Sequence, residues 1–169
     1  MKRIFLLLMI FFPLMAGCQD KKTIRRQITE EDLINVNKKL VRRDADRIKE
    51  YLKSGNIKMN ETQSGLWYAI LDEGQTPKAK KGQIITLKYN LSLLDGTLIY
   101  SSDSTGLKEF KIGQGGVESG LEEGVLMLGL GSKAKFIMPP HLAHGLIGDD
   151  GQVPPRAILL YDVEVVNLR

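Results

Sequence analysis

The chain has 169 residues, enough for one domain of ordinary size and an additional segment. Hydrophobic residues make up 43% and charged residues 26%, which is typical of a globular protein and excludes a disordered or fibrous one. The formal net charge is only +4, and basic residues are not interleaved with aromatic ones, so the composition does not favour a nucleic-acid partner.

The first eighteen residues, MKRIFLLLMIFFPLMAGC, have the pattern of a signal peptide. Two cations precede a run of twelve apolar residues. At about 1.5 Å per helical residue, this run is too short to cross a hydrocarbon core of about 30 Å. We therefore predict that residues 1–17 form a signal peptide rather than a membrane span.

The end of this segment, LMAGC, resembles a bacterial lipobox, in which cleavage before the cysteine leaves it as a lipid-bearing N-terminus. The resemblance implies lipidation of Cys18. Because Gln19 rather than aspartate follows, it also implies the outer membrane, on its periplasmic side. The alternative is an ordinary signal peptide followed by an unmodified thiol. Cys18 is the only cysteine, so its lipidation would exclude disulfides and cysteine catalysis.

Residues 18–28 are polar and basic, and we predict that they form a tether to the membrane. An amphipathic helix is predicted over residues 29–55, because Thr29 and Asp32 form a capping-box-like start and Gly55 ends it. The apolar positions on one arc of this helix are Leu33, Val36, Leu40, Val41, Ile48 and Tyr51. The arc either docks on the following domain or pairs weakly with a second copy of the chain. Charges at Asp44 and Arg47 favour docking.

From residue 65 onward the hydrophobic period changes to two, which is typical of strands that are buried on one face. In IITLKYNLSLLDG the apolar residues alternate with polar ones before the turn at Asp95 and Gly96. The segments SKAKFIM and RAILLYDVEVV show the same alternation, and a short helix is predicted at SGLEEGVLMLGLG. The predicted fold class is therefore α+β, with five or six antiparallel strands around one short helix over residues 65–169.

A glycine- and aspartate-rich loop, PPHLAHGLIGDDGQVPP, lies between two Pro-Pro pairs at residues 139–155. Its two histidines and two aspartates lack a further ligand at a recognisable spacing, so a metal site is not favoured. The sequence has no nucleophile elbow, phosphate-binding loop or zinc-protease motif, and we predict no cofactor. Tyr89 and Tyr161 lie on the apolar faces of their strands, where they are either ordinary core residues or part of an open pocket beneath the loop.

Residues 65–169 resemble the FKBP-type peptidyl-prolyl cis-trans isomerases. The resemblance rests on YNLSLLDG, GLEEGVLMLGLGSKA, PPHLAHGLIG and VPPRAILLYDVE, which occur in the family's order. The lipobox, the tether and TQSGLWYAIL further resemble the lipoprotein members from Bacteroidetes, including the gliding-motility-associated group. The resemblance implies an FKBP-like fold, a proline pocket and a flap over it formed by residues 139–155, which we call the flap loop.

Nine residues are placed at the pocket by this resemblance: Tyr89, Ile99, Tyr100, Phe110, Val117, Glu118, Leu121, His144 and Tyr161. Tyr89 and Val117 match the family pattern. His144 replaces a tyrosine that donates to the substrate carbonyl, which an imidazole N–H could also do. Glu118 would contribute its backbone N–H, so its side chain is expected to matter less. Phe110 offers a ring near the edge of the pocket.

The other four positions depart from the family in size or polarity. Leu121 replaces the tryptophan of the pocket floor, Ile99 replaces a phenylalanine wall, and Tyr100 replaces an aspartate. Tyr161 replaces a phenylalanine at the back of the pocket and keeps the ring.

The resemblance implies a prolyl isomerase that assists the folding of exported envelope proteins, with proline-containing polypeptides as partners and no cofactor. Since the X-Pro bond is rotated and not broken, the reaction requires no nucleophile or acid–base pair. The alternative is a non-catalytic FKBP-like chaperone or binding module for proline-containing chains, suggested by the departures at Ile99, Tyr100 and Leu121.

Overall fold

The computed structural model describes residues 28–55 and 57–169. The signal peptide, the lipidation of Cys18 and most of the predicted tether lie outside the described residues and stay predictions. The helices are α1 (Glu30–Ser54), α2 (Ser102–Thr105) and α3 (Ser119–Val125), with a 3-10 turn at Pro140–Leu142. The strands are β1 (Asn60–Glu61), β2 (Trp67–Asp72), β3 (Ile84–Leu93), β4 (Leu98–Ser101), β5 (Lys108–Lys111), β6 (Lys133–Met138) and β7 (Leu159–Leu168).

All seven strands belong to one antiparallel sheet in the order β1-β2-β6-β7-β3-β4, with β5 also paired to β3. β3 pairs with β7 along almost its whole length on one side. On its other side β3 pairs with β4 near one end and with β5 near the other, and α2 lies between these two strands in the chain. The fold class is confirmed. The strand beyond the predicted six is the two-residue β1, which precedes residue 65.

The main core lies between the sheet and α3. Leu121 and Val125 of α3 are fully buried in one apolar cluster with Phe136 of β6. A Cβ atom at Gly124 would lie 2.7 Å from Cζ of Phe136, so a side chain at that position would push the helix off the sheet. Glycine at this helical position therefore brings α3 close enough to the sheet to seal the core.

The N-terminal helix begins and ends where the sequence predicts. The side chain of Thr29 accepts the backbone N–H of Asp32, whose carboxylate in turn accepts the backbone N–H of Thr29, and the helix ends at Gly55. This reciprocal bonding satisfies N–H groups that have no partner within the helix. No helix in the described part of the chain is both long and apolar enough to span a bilayer.

The predicted docking of α1 is confirmed for its C-terminal half. Ile48 is fully buried against Ile137 of β6 and Ile158 just before β7. Asp44 is also buried, and its Oδ2 accepts a hydrogen bond of 2.6 Å from Nη2 of Arg156. Most of the N-terminal half of the arc stays exposed; Leu33, for example, is 54% exposed, whereas Leu40 is partly buried. Pairing of this half with a second copy stays a prediction.

Replacing Ile48 with alanine should lower the free energy of unfolding by about 2–5 kcal/mol, because it leaves a cavity between α1 and the sheet. Chemical denaturation followed by circular dichroism measures the change. Leu33→Ala on the exposed half of the same helix is the matched control and should change stability by less than about 0.5 kcal/mol. Equal losses in the two variants would contradict the docking of α1.

Candidate functional site

A cavity of about 300 Å³ opens between β3, β7 and the flap loop. Its walls come from seven parts of the chain, namely β3, β4, α2, β5, the residue before α3, the flap loop and β7, and they are strongly aromatic and charged. The lining residues are Tyr89, Leu91, Tyr100, Thr105, Lys108, Glu118, His144, Asp149 and Tyr161. We refer to this space as the cavity.

The pairing of β3 with β7 places the apolar wall of the cavity. Leu91 lies opposite Tyr161 in the register, and Tyr89 is two residues from Leu91, so all three side chains point to the same face of the sheet. The rings of Tyr89 and Tyr161 lie 6.0 Å apart with their planes tilted by 41°. Such tilted aromatic pairs are favourable, and this one forms a rigid wall.

The short helix α2 fixes the outer end of Tyr89. The backbone N–H of Tyr89 donates to Oγ of Ser102, and its hydroxyl shares a hydrogen bond of 2.9 Å with Oγ1 of Thr105. Both partners belong to α2, which interrupts the edge of the sheet between β4 and β5. The interruption therefore supplies polar partners to a buried tyrosine that is 8% exposed.

The central charged group of the cavity is the carboxylate of Glu118, the residue immediately before α3. Its backbone carbonyl accepts the N–H groups of Leu121 and Glu122, which fixes its position at the start of the helix. Its side chain is only 5% exposed. The Tyr161 hydroxyl donates to Oε1 at 2.6 Å, and Nε2 of His144 lies 3.1 Å from the same oxygen.

Burial opposes ionisation of Glu118, but the Lys108 ammonium, the Tyr161 hydroxyl and His144 together lower the pKa of this carboxyl below its usual value. Since an ionised carboxylate only accepts hydrogen bonds, His144 carries its proton on Nε2. Burial and then the neighbouring carboxylate raise the pKa of Tyr161, so this residue stays a donor. The Glu118 side chain is therefore the acceptor at the centre of the cavity. From the sequence, a role is predicted only for the backbone N–H of this residue.

A second set of hydrogen bonds connects residues within the flap loop to one another and connects the loop to β4. The hydroxyl of Tyr100 donates to Oδ2 of Asp149 at 2.7 Å and accepts the backbone N–H of Gln152. The other carboxylate oxygen of Asp149 accepts the backbone N–H groups of Gly151 and Val153. Desolvation raises the pKa of Asp149, but these donors outweigh it and lower the pKa overall.

Five of the nine predicted pocket residues line the cavity: Tyr89, Tyr100, Glu118, His144 and Tyr161. The other four do not. Leu121 and Phe110 are buried in the main core, while Ile99 and Val117 are partly buried against it. Leu121, which the resemblance places at the tryptophan of the pocket floor, is fully buried in the main core, and its role as a floor stays a prediction.

Four lining residues were not in the predicted set. Leu91 could have been found from its position two residues after Tyr89 on the same strand face. Lys108 begins β5 and Thr105 ends α2, so the break in the edge strand brings both to the cavity. For Asp149 the sequence suggests only a metal ligand, which is not favoured. The described part of the chain contains no group of three or more His, Cys, Asp or Glu side chains placed to hold a metal ion.

A twisted antiparallel sheet packed on a short helix, with an aromatic cavity under a proline-bounded loop, defines an FKBP-type fold. The comparisons agree, because residues 75–166 match the family described as FKBP-type peptidyl-prolyl cis-trans isomerase. The chain belongs to this family.

Individual relatives cover different shares of the chain. Over 112 residues it is 36% identical to FK506-binding protein 2 of Yarrowia lipolytica, a match covering 66% of this chain and 78% of that protein. It is 42% identical to human peptidyl-prolyl cis-trans isomerase FKBP9 over 92 residues, which is 53% of this chain but only 16% of that longer protein.

Two crystal structures resemble a large part of the chain. FkpA from Escherichia coli has a TM-score of 0.66 at 26% identity, and the match covers 82% of this chain and 64% of that one. AtFKBP13 has a TM-score of 0.63 at 30% identity, covering 67% of this chain and 100% of that one.

The bond between Tyr161 and Glu118 should be measurable as stability. Tyr161→Phe removes a donor from a buried carboxylate and should lower the free energy of unfolding by about 1–3 kcal/mol. The double variant Tyr161→Phe, Glu118→Leu removes both partners and should recover part of that loss. Tyr68→Phe, on half-buried β2 outside the cavity, is the control and should cost less than about 0.5 kcal/mol. Additive losses in the double variant, measured by chemical denaturation, would contradict the interaction.

Proposed function

We propose that the chain is a peptidyl-prolyl cis-trans isomerase that assists the folding of exported proteins. The observation that carries the proposal is the aromatic cavity between β3, β7 and the flap loop in a chain of this family. Its ligand is a proline-containing segment of an unfolded polypeptide, and the reaction uses no cofactor.

The proposed reaction is limited by amide resonance, which imposes a barrier of about 20 kcal/mol to rotation of an X-Pro bond. No covalent bond is broken, so the cavity accelerates the reaction if it binds the twisted imide more tightly than the planar one. The rings of Tyr89 and Tyr161 form an apolar wall against which the proline ring packs. Exclusion of water there removes hydrogen bonds that stabilise the planar, charge-separated form of the imide.

In this proposal the polar groups of the cavity orient the bound proline-containing polypeptide, which we call the client. The backbone N–H of Glu118 and the ring of His144 are the proposed contacts to client carbonyls. Because Nε2 of His144 already donates to Glu118, the imidazole must exchange this bond when it binds a client. Tyr100 and Asp149 hold the flap loop in the conformation that covers the site.

A non-catalytic module that binds proline-containing chains is the second candidate. It is favoured by the charged pair of Lys108 and Glu118 in the cavity and by the complete burial of the Tyr161 ring. A site that binds a client by electrostatic attraction, without packing against a twisted imide, would bind proline-containing chains without accelerating rotation of the X-Pro bond.

Isomerisation of the peptide Ala-Leu-Pro-Phe distinguishes the two candidates. We expect acceleration by the full chain and a loss of about tenfold or more in kcat/KM on Tyr89→Ala or Tyr161→Ala, because each removes a ring from the wall. Tyr51→Ala on α1, half-buried and outside the cavity, should retain activity. Absence of acceleration, together with suppressed aggregation of an unfolded reporter protein, would overturn the isomerase in favour of the binding module.

We also propose that Cys18 is the lipidated N-terminus of the mature chain and anchors it to the outer membrane, facing the periplasm, as in the Bacteroidetes lipoprotein subgroup. The support is the LMAGC pattern and the polar segment that follows it. In this location the isomerase would meet envelope proteins as they fold.

Cys18→Ala should move the protein from the membrane fraction to the soluble fraction of the producing cells, detected by immunoblotting. Gln19→Asp is the matched variant: it keeps the cysteine and should redistribute the anchored protein towards the inner membrane in density-gradient fractionation. Retention of Cys18→Ala in the membrane fraction would show that the anchor lies elsewhere.

A further inference from the structure

The cavity already contains an ammonium group, which comes from the chain itself. Nζ of Lys108 lies 5.4 Å from the ring centroid of Tyr89 and 5.8 Å from that of Tyr161. Both distances are within the range in which an aromatic face attracts a cation. The two rings that the proposed function assigns to the proline therefore also form a binding surface for positive charge.

The buried carboxylate beside these rings has an unused acceptor. Oε2 of Glu118 is buried and has no hydrogen-bond partner in the described residues, whereas Oε1 accepts from two donors. Nζ of Lys108 is 3.6 Å from Oε2, which is an ion-pair distance but too long for a good hydrogen bond. A buried acceptor without a donor is costly, so this oxygen favours a ligand that brings an N–H group.

The remaining lining groups favour the same chemistry. Two carboxylates, Glu118 and Asp149, face the cavity, while Lys108 supplies one ammonium group. Apart from His144, the charged groups of the lining therefore sum to one net negative charge. The lowered pKa of both carboxyls keeps them ionised at neutral pH.

We propose that the cavity is a cation site and that the preferred client carries a lysine or arginine directly before or after its proline. The client's cation takes the place of the Lys108 ammonium between the two rings and Oε2 of Glu118. Lys108 can leave because it begins the edge strand β5 and its side chain is 25% exposed. This inference rests on the proposed function for the presence of proline, and it makes Lys108 a built-in competitor of the client.

The test uses the peptides Ala-Lys-Pro-Phe, Ala-Leu-Pro-Phe and Ala-Glu-Pro-Phe, with binding measured by calorimetry and isomerisation by NMR exchange spectroscopy. We expect the lysine peptide to bind about fivefold more tightly than the leucine peptide, and the glutamate peptide to bind most weakly. The formal net charge of the chain is +4, so unspecific attraction would produce the opposite order.

Two variants assign the effect to the cavity. Lys108→Met removes the competing charge but keeps the aliphatic stem, and it should increase the lysine-to-leucine affinity ratio severalfold. Glu118→Gln should reduce that ratio to about one, because the carboxylate is lost. Lys111→Met, an exposed lysine on the same strand, is the matched control and should leave the ratio unchanged.

The outcomes distinguish the cation site from the isomerase activity. Equal affinity for the lysine and leucine peptides in the unchanged chain and in Lys108→Met overturns the cation site, even if both peptides are isomerised. Tight binding of the lysine peptide without acceleration of any peptide overturns the isomerase and leaves the cation site standing. If Glu118→Gln fails to fold, the Lys108→Met result alone decides the inference.

Discussion

The buried carboxylate of Glu118 is the interaction on which the character of the site depends. Moving an acid out of water is unfavourable unless donors and opposite charges replace the lost solvent. Here they come from three distant parts of the chain: Tyr161 on β7, His144 in the flap loop and Lys108 at the start of β5. The carboxylate therefore joins the sheet, the flap loop and the edge strand at one point, and the cavity is shaped by this requirement.

The same carboxylate changes what the cavity can recognise. An apolar pocket selects a ligand by shape and by the water it excludes. A pocket that also contains an ion pair and two tyrosine faces can discriminate by charge, because these interactions are strong where water is scarce. The fold determines where the site lies. Lys108, Glu118 and Tyr161 make its chemistry charged and polar, unlike that of a purely apolar pocket.

The elements that follow from local rules could be predicted from the sequence. The Thr29–Asp32 cap, the end of α1 at Gly55 and the alternating strand around Tyr89 each depend on residues a few positions apart. The network around Glu118 could not be predicted in this way, because its partners lie 10, 26 and 43 residues along the chain. Glutamate is rarely buried, and the resemblance implies a role only for the backbone N–H of Glu118, so nothing in the sequence predicts the network around its side chain.

Asp44 shows how a local reading can misjudge a polar residue within an apolar arc. On the helical wheel Asp44 interrupts the apolar arc of α1, but in the structure its carboxylate accepts a hydrogen bond from the guanidinium of Arg156. The backbone of Arg156 has a positive φ of 58°, which is uncommon for a residue other than glycine. Its backbone N–H donates to the carbonyl of Gly145. Gly145 follows His144 directly. Through Asp44 and Arg156, α1 is thus connected by hydrogen bonds to the flap loop at Gly145, next to His144, which contacts Glu118. The helix α1 therefore helps to position the site.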